Sequence, residues 1–200
     1  KYGLLRVFKL DKAESLMPEV DIGKLAEHYP TKKPRRGNVA LFTGCISDHF
    51  DLKTLLASIK LLNYIGFDVL VPKEQTCCGA LHQHQGNTAI SDKMSALNTK
   101  VFNSLDVEAI IYTASGCGLM LKEYEQENSA EAGDTNRFGS SLYVITEFLN
   151  LHWPEDISLK DLHSSASHGN RKVAVHEPCS QRNAKTESGN RHQHVYALLE

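Results

Sequence analysis

The sequence predicts an α/β protein with a mostly parallel sheet flanked by helices. Short apolar runs, rich in β-branched residues, alternate with longer segments in which apolar residues recur every three or four positions. The order strand, helix, strand, helix, strand is typical of parallel sheets with right-handed crossovers. A hydrophobic share of 41% and a charged share of 23% agree with an ordinary globular domain.

The composition gives little reason to propose a nucleic acid or an anionic membrane as partner, since the net charge is -2. No apolar run approaches the roughly 18 residues of a membrane-spanning helix. Five cysteines, an odd number, without a secretory signal favour reduced thiols in the cytoplasm, used for metal binding or catalysis. Because the chain lacks an initiator Met and stops within a predicted helix, we expect a fragment.

Residues 1–36 are expected to be a linker or extension, because prolines interrupt them. The basic run at 32–36 suggests an anion-binding or targeting patch, although a solvated linker explains it more simply. Residues 38–43 then predict a buried strand that leads directly to Cys45.

The next segments predict two further strands, at 67–72 and 109–113, each preceded by a helix. The first helix has an apolar face of Leu52, Leu55, Leu56, Ile59 and Leu62, with Gly66 at its end. The second has an apolar row of Ile90, Met94, Leu97, Val101 and Leu105. A third helix is expected at 119–124, just after Cys117.

The sequence after the third helix predicts a surface loop at 125–140 and then a strand running into a short helix at 142–149. Residues 151–171 have the composition of a linker. A fresh strand at 172–176, followed by Cys179, partly repeats the pattern around Cys45. The chain therefore divides into a first domain at 37–150 and the truncated start of a second repeat at 172–200.

The cysteines follow the predicted strands. Cys45, the pair Cys77 and Cys78, and Cys117 each stand a few residues beyond a strand's carboxyl end. Since ligands of open α/β sheets bind at that edge, these four cysteines should meet there. Adjacent cysteines rarely close a disulfide on each other, because the bond requires a particular separation and orientation.

Four neighbouring thiolates repel one another unless a cation holds them. Soft sulfur ligands select zinc, Cu(I) or an iron–sulfur cluster. Zinc fingers and ribbons usually use Cys-x-x-Cys, which this chain lacks, so a cluster is favoured. Cys179 is either a small apolar residue of a core or the first ligand of a second site.

Other chemistry fits less well. Cys117 with His82 or His176 could form a nucleophile and base, but the remaining cysteines would then have no use. His82 and His84 are candidate ligands, yet solvent-facing or supporting roles are more common for such residues. The chain has no phosphate-binding Gly-x-x-x-x-Gly-Lys-Ser/Thr motif.

Four motifs resemble those of the cysteine-rich CCG domain, which occurs in heterodisulfide reductases, lactate-utilisation proteins and the glycolate oxidase iron–sulfur subunit, and they are closest to the last. They are Thr43-Gly44-Cys45, Gln75-Thr76-Cys77-Cys78-Gly79-Ala80-Leu81-His82, Ser115-Gly116-Cys117-Gly118 with Lys122-Glu123-Tyr124, and His176-Glu177-Pro178-Cys179. The likeness covers residues 37–125 well and 172–180 partially. It implies a Rossmann-like fold with Cys45, Cys77, Cys78 and Cys117 as cluster ligands.

The resemblance further implies an electron-transfer subunit of a flavin-dependent 2-hydroxy acid (glycolate) dehydrogenase complex. Substrate oxidation would lie on FAD-containing partner subunits, with a quinone or similar electron acceptor. The location would be the cytoplasm, or the inner membrane periphery through the complex. Ala114 stands where the five-cysteine form of the motif has another cysteine, so a four-thiolate 4Fe-4S cluster, or alternatively a structural zinc ion, fits the ligand count.

Overall fold

The computed structural model describes residues 23–128, 138, 141–157, 174–176 and 178–180. Within them, one five-stranded sheet lies between helices on both faces, which confirms the predicted α/β class. The strands are β1 His28–Tyr29, β2 Gly37–Phe42, β3 Phe67–Leu70, β4 Ala109–Tyr112 and β5 Leu142–Val144. The helices are α1 Ser47–Phe50, α2 Leu52–Tyr64, α3 Ala80–His84, α4 Thr88–Asn103, α5 Ser115–Asn128 and α6 Ile145–His152.

The strand order is β1-β3-β2-β4-β5, with β2 at the centre. Strands β2 to β5 are parallel, and Val39 of β2 lies opposite both Val69 of β3 and Ala109 of β4. The chain leaves β2 toward β3 on one side, then crosses back to β4 on the other. This reversal opens a crevice at the carboxyl ends of β2 and β4, where such folds bind ligands.

The central strands are buried on both faces, which explains their continuous apolar runs. On β2, Val39 and Leu41 face one core cluster, which is completed by α2 and α6. Ala40 and Phe42 face the other, which is completed by residues of α4 and α5. Side chains of successive strand residues point to opposite faces, so one apolar run serves both cores.

The prediction of an irregular segment at 1–36 is wrong at β1, which pairs antiparallel with β3 and makes the sheet mixed. Asp68 stabilises this edge of the sheet. Its carboxylate accepts a hydrogen bond from the backbone N–H of Thr31 at 2.7 Å and pairs with Arg35 Nε at 3.1 Å. Arg36 Nη1 donates to the carbonyl of His152 at 2.7 Å. Arg35 and Arg36, two residues of the basic run, therefore make contacts that stabilise the fold.

The predicted helix at α4 is confirmed, and Val101 and Leu105 of the predicted apolar row pack against a core cluster, but Ile90 and Leu97 do not face inward. Ile90 and Leu97 are 37% and 44% exposed. The adjacent row is buried instead, and it consists of Ser91, Ser95, Asn98 and Phe102. Polar residues occupy this face because two of them hydrogen-bond to the cysteine loop described below.

The later part of the chain departs from the predictions in three places. Helix α5 extends to Asn128, beyond the predicted start of a loop at 125, and Phe138 is buried rather than at the surface. Residues 174–176, the described part of the predicted strand at 172–176, have no regular secondary structure.

Among the described residues, no helix is long and apolar enough to cross a membrane.

Candidate metal centre

Four cysteines meet at the carboxyl edge of the sheet, as the sequence predicts. Cys45 follows β2, and Cys77 and Cys78 lie in the loop after β3. Cys117 lies in the first turn of α5, directly after β4. We refer to these four residues as the thiol cluster. The strand order explains their meeting, since β3, β2 and β4 are neighbours whose carboxyl ends point the same way.

The thiols contact one another in succession around the cluster. Cys45 Sγ lies 3.2 Å from Cys77 Sγ, and Cys78 is in hydrogen-bonding contact with both Cys77 and Cys117. Cys78 is only 4% exposed, whereas Cys45 is exposed. A pocket of about 800 Å³ is lined in part by Cys45 and Cys77. It makes the thiols of these two residues reachable from solvent.

Burial and mutual contact favour the protonated form of two of these thiols. Partial desolvation of its sulfur among the neighbouring thiols, together with the hydrogen bond to Cys77, raises the pKa of Cys45 to about 11 although the residue as a whole is exposed. The hydrogen bond to Cys117, together with burial, raises the pKa of Cys78 well above its ordinary value. The hydrogen bond from Cys78 lowers the pKa of Cys117. Loading a metal ion onto these residues must therefore release protons, because metals bind the thiolates.

The sharp turn after Cys78 depends on Gly79. Its φ of +84° lies in the left-handed region, and a Cβ there would approach Ser91 Oγ to 2.8 Å. Only glycine adopts this conformation at low cost in such a crowded place. Helix α3 begins directly after it, and the backbone N–H of Ala80 donates to the Cys78 sulfur.

Gln75 joins the loop of Cys45 to the loop of Cys77. Its Oε1 accepts the backbone N–H of Thr43 at 2.9 Å. Its Nε2 donates to the carbonyls of Leu41 at 3.2 Å and Pro72 at 3.0 Å. One amide side chain thus fixes the spacing between the end of β2 and the loop that follows β3.

Two buried polar side chains hydrogen-bond to the backbone of the loop that contains Cys77 and Cys78. Asn98 Oδ1 accepts the backbone N–H of Thr76 at 2.8 Å, and Asn98 Nδ2 donates to the Cys77 carbonyl at 3.1 Å. Tyr124 Oη donates to the Cys78 carbonyl at 2.7 Å. Asn98 Nδ2 also lies 3.3 Å from Tyr124 Oη, so the two side chains form one network.

The periodicity of α4 contains a signal for Asn98 that the predicted apolar face leaves unused. Ser91, Ser95 and Asn98 repeat every three to four residues and continue to Phe102, as regularly as the neighbouring apolar row. A row of small polar residues on an otherwise amphipathic helix indicates a face that satisfies backbone groups. Tyr124 belongs to the Lys122-Glu123-Tyr124 segment that resembles the family motif, but the resemblance does not indicate its hydrogen-bond partner.

The remaining candidates lie outside the thiol cluster. His84 is exposed and His82 is partly exposed on α3, and His176 is exposed. Cys179 is exposed as well, although its neighbour Ser180 donates to Ser115 Oγ at 2.8 Å, which brings this segment to the start of α5. A second metal site at Cys179 therefore stays a prediction.

The donor set can be tested against the two metal centres that the sequence suggests. Among the described residues, no group of three or more His, Cys, Asp or Glu side chains is arranged to hold one metal ion. A tetrahedral zinc site needs four ligands around one point. An iron–sulfur cluster instead takes one thiolate on each of several irons. Both centres take thiolate ligands, and the four thiols in mutual contact supply the soft donor set that either one needs.

Comparison with known proteins agrees with the position of these cysteines. A family model described as "Cysteine-rich domain" (CCG) matches residues 39–122, a range that contains the whole thiol cluster. The chain is 33% identical over 189 residues to a "Probable glycolate oxidase iron-sulfur subunit" of Bacillus subtilis, covering 92% of this chain and 42% of that protein.

Two further relatives show how far the similarity extends. The "Glycolate oxidase iron-sulfur subunit" of Escherichia coli is 28% identical over 93% of this chain and 44% of its own length. One subunit of the fumarate reductase (CoM/CoB) of Methanothermobacter marburgensis is 31% identical over 70% of this chain and 25% of its own length. The chain thus spans less than half the length of these relatives. No solved structure is significantly similar to it.

Proposed function

The chain belongs to the CCG cysteine-rich domain family through residues 39–122, and from this premise we propose that it is part of an iron–sulfur electron-transfer subunit. The observation that carries the proposal is the meeting of Cys45, Cys77, Cys78 and Cys117 at one edge of the sheet. Their four sulfurs would hold a cluster of the 4Fe-4S type, which accepts and releases single electrons.

The residues of the edge support this role in two ways. Cys117 lies in the first turn of α5, where the helix dipole stabilises a thiolate. The N–H of Ala80 donates to the Cys78 sulfur, and such hydrogen bonds stabilise the negative charge of a reduced cluster. Cys45 is exposed and Cys77 is partly exposed, which leaves a short route for electrons to and from a partner.

The proposed complex oxidises a 2-hydroxy acid such as glycolate, in keeping with the names of the relatives in Bacillus subtilis and Escherichia coli. Substrate oxidation is assigned to FAD-containing partner subunits, and a quinone or similar molecule accepts the electrons. We place the complex in the cytoplasm or at the inner membrane periphery. The segment around Cys179 is proposed to begin a second repeat of the same kind.

Metal analysis of protein purified without oxygen tests the assignment. The expected result is iron and acid-labile sulfide in about equal amounts, with a spectrum that bleaches on reduction with dithionite. Stoichiometric zinc with neither iron nor sulfide would contradict the electron-transfer role.

A structural zinc ion that supports subunit assembly is the second candidate. The observation in its favour is Ala114, which leaves four thiols where the five-cysteine form of the family motif has one more. The same purification separates the two candidates. A zinc-loaded protein that shows no reversible redox transition would support the assembly role.

A further inference from the structure

The two cysteines at the centre of the thiol cluster are supported by buried polar groups from two different helices. Asn98 of α4 donates to the Cys77 carbonyl at 3.1 Å, and Tyr124 of α5 donates to the Cys78 carbonyl at 2.7 Å. Asn98 and Tyr124 are 0% and 1% exposed. Their mutual contact at 3.3 Å makes the two hydrogen bonds parts of one network.

Packing alone does not account for these two side chains. Tyr124 lies within an apolar cluster with Phe102, Phe138 and Leu121, and α4 turns Asn98 toward the same interior. A leucine and a phenylalanine would fill similar volumes without the cost of burying an amide and a hydroxyl. The polar groups are stable there because each finds its partner in the cysteine loop.

We propose that Asn98 and Tyr124 are positioning residues for the metal centre, which hold the Cys77 and Cys78 sulfurs and set the reduction potential of the cluster. The inference rests on the proposed function, since it concerns the cluster assigned there. Their burial by itself would indicate only a structural role in the core.

The effect on the potential follows from the peptide groups between the cysteines. The carbonyl that Asn98 contacts belongs to the same peptide as the Cys78 N–H, and the carbonyl that Tyr124 contacts belongs to the same peptide as the Gly79 N–H. A donor at the oxygen polarises the peptide and makes its N–H more positive. Positive groups and hydrogen bonds beside the sulfurs stabilise the more negative, reduced cluster, which raises the potential.

A redox titration of the full chain, loaded with iron and sulfide without oxygen, measures this effect. Tyr124→Phe removes one hydroxyl and keeps the ring, so the iron content should equal that of the unmodified protein while the potential becomes more negative. The matched control is Tyr143→Phe, which removes a hydroxyl from the partly buried ring that packs on the opposite core. Its potential should not change. A fully loaded Tyr124→Phe protein with an unchanged potential overturns the proposed tuning.

The positioning role has a second readout that needs no cluster. In the metal-free chain, Asn98→Leu and Tyr124→Phe should each make alkylation of Cys77 and Cys78 by iodoacetamide severalfold faster, with Cys179 as the unchanged internal reference. If Cys77 and Cys78 are alkylated in both variants at the same rate as in the unmodified chain, the two residues do not position the cysteines. If the unmodified chain takes up no iron and sulfide, the proposed electron transfer and the tuning fail together, and the alkylation rates alone decide whether the two residues hold the loop.

Discussion

The sulfur atoms of Cys45 and Cys77 lie 3.2 Å apart, although 32 positions separate the two residues in the sequence. The parallel pairing of β2 with β3 produces this contact, because the loops that follow both strands leave the same edge of the sheet. Gln75 then fixes the distance between the loops through hydrogen bonds to both. The contact leads to a prediction for the metal-free protein.

Metal-free protein treated with oxidised glutathione should form a Cys45–Cys77 disulfide, with release of two molecules of reduced glutathione. Because partial desolvation of the sulfur and the contact with Cys77 raise the pKa of Cys45 to about 11, its reactive thiolate is scarce at pH 7. The rate should therefore rise as the pH increases from 7 toward 10. Peptide mass mapping over time measures it, and a first disulfide at Cys117 would contradict the prediction.

Cys78→Ser should abolish metal binding, because it replaces a buried sulfur at the centre of the thiol cluster with a harder and weaker ligand. Cys179→Ser is the matched control, since Cys179 is exposed and outside the cluster. Iron and sulfide per chain should fall to background in the first variant and remain unchanged in the second. Full metal content in Cys78→Ser would show that the ligand set is wrong.

Gly118→Ala should destabilise the domain, whereas Gly116→Ala should not. An added Cβ at Gly118 would overlap the ring of Tyr112, while at Gly116 it would meet no atom within 4 Å. Overpacking of this kind costs about 1–3 kcal/mol. Urea denaturation of both metal-free variants measures the difference, and equal unfolding free energies would mean that the Tyr112 ring moves aside without cost.

Tyr124→Phe should weaken the alkaline loss of stability. Burial raises the pKa of Tyr124 above its ordinary value, so the folded chain keeps this proton where the unfolded chain has released it. The resulting stabilisation is complete below about pH 10 and is lost as the pH rises toward the folded-state pKa. Removing the hydroxyl should make the fall above pH 10 shallower by up to about 1.4 kcal/mol per pH unit.

Urea unfolding of the metal-free proteins at closely spaced pH values above 9 provides the measurement. The unmodified chain is the reference, because its other ionisable groups are the same as those of the variant. Identical slopes in the two proteins would show that the phenol ionises as readily in the folded state as in the unfolded one.

Much of the site could be predicted because it depends on local patterns. The apolar runs of β2, β3 and β4 require burial on both faces, and this requirement already indicates a parallel sheet covered by helices. Placing Cys45 and Cys117 after such strands then brings them to one edge, since parallel strands share a direction. One prediction that failed in part, the inward face of α4, assumed that apolar residues always face the core.

Periodicity in the sequence was sufficient to determine the α/β class, the central strands and the edge that carries the thiols. Only the tertiary structure decided that β1 joins the sheet in the antiparallel direction, that Asn98 rather than Leu97 faces inward, and that Tyr124 reaches the Cys78 carbonyl. The physical reason is that a buried polar group is stable only beside its partner. Asn98 and Cys77 find each other across 21 positions, through packing that no local pattern encodes.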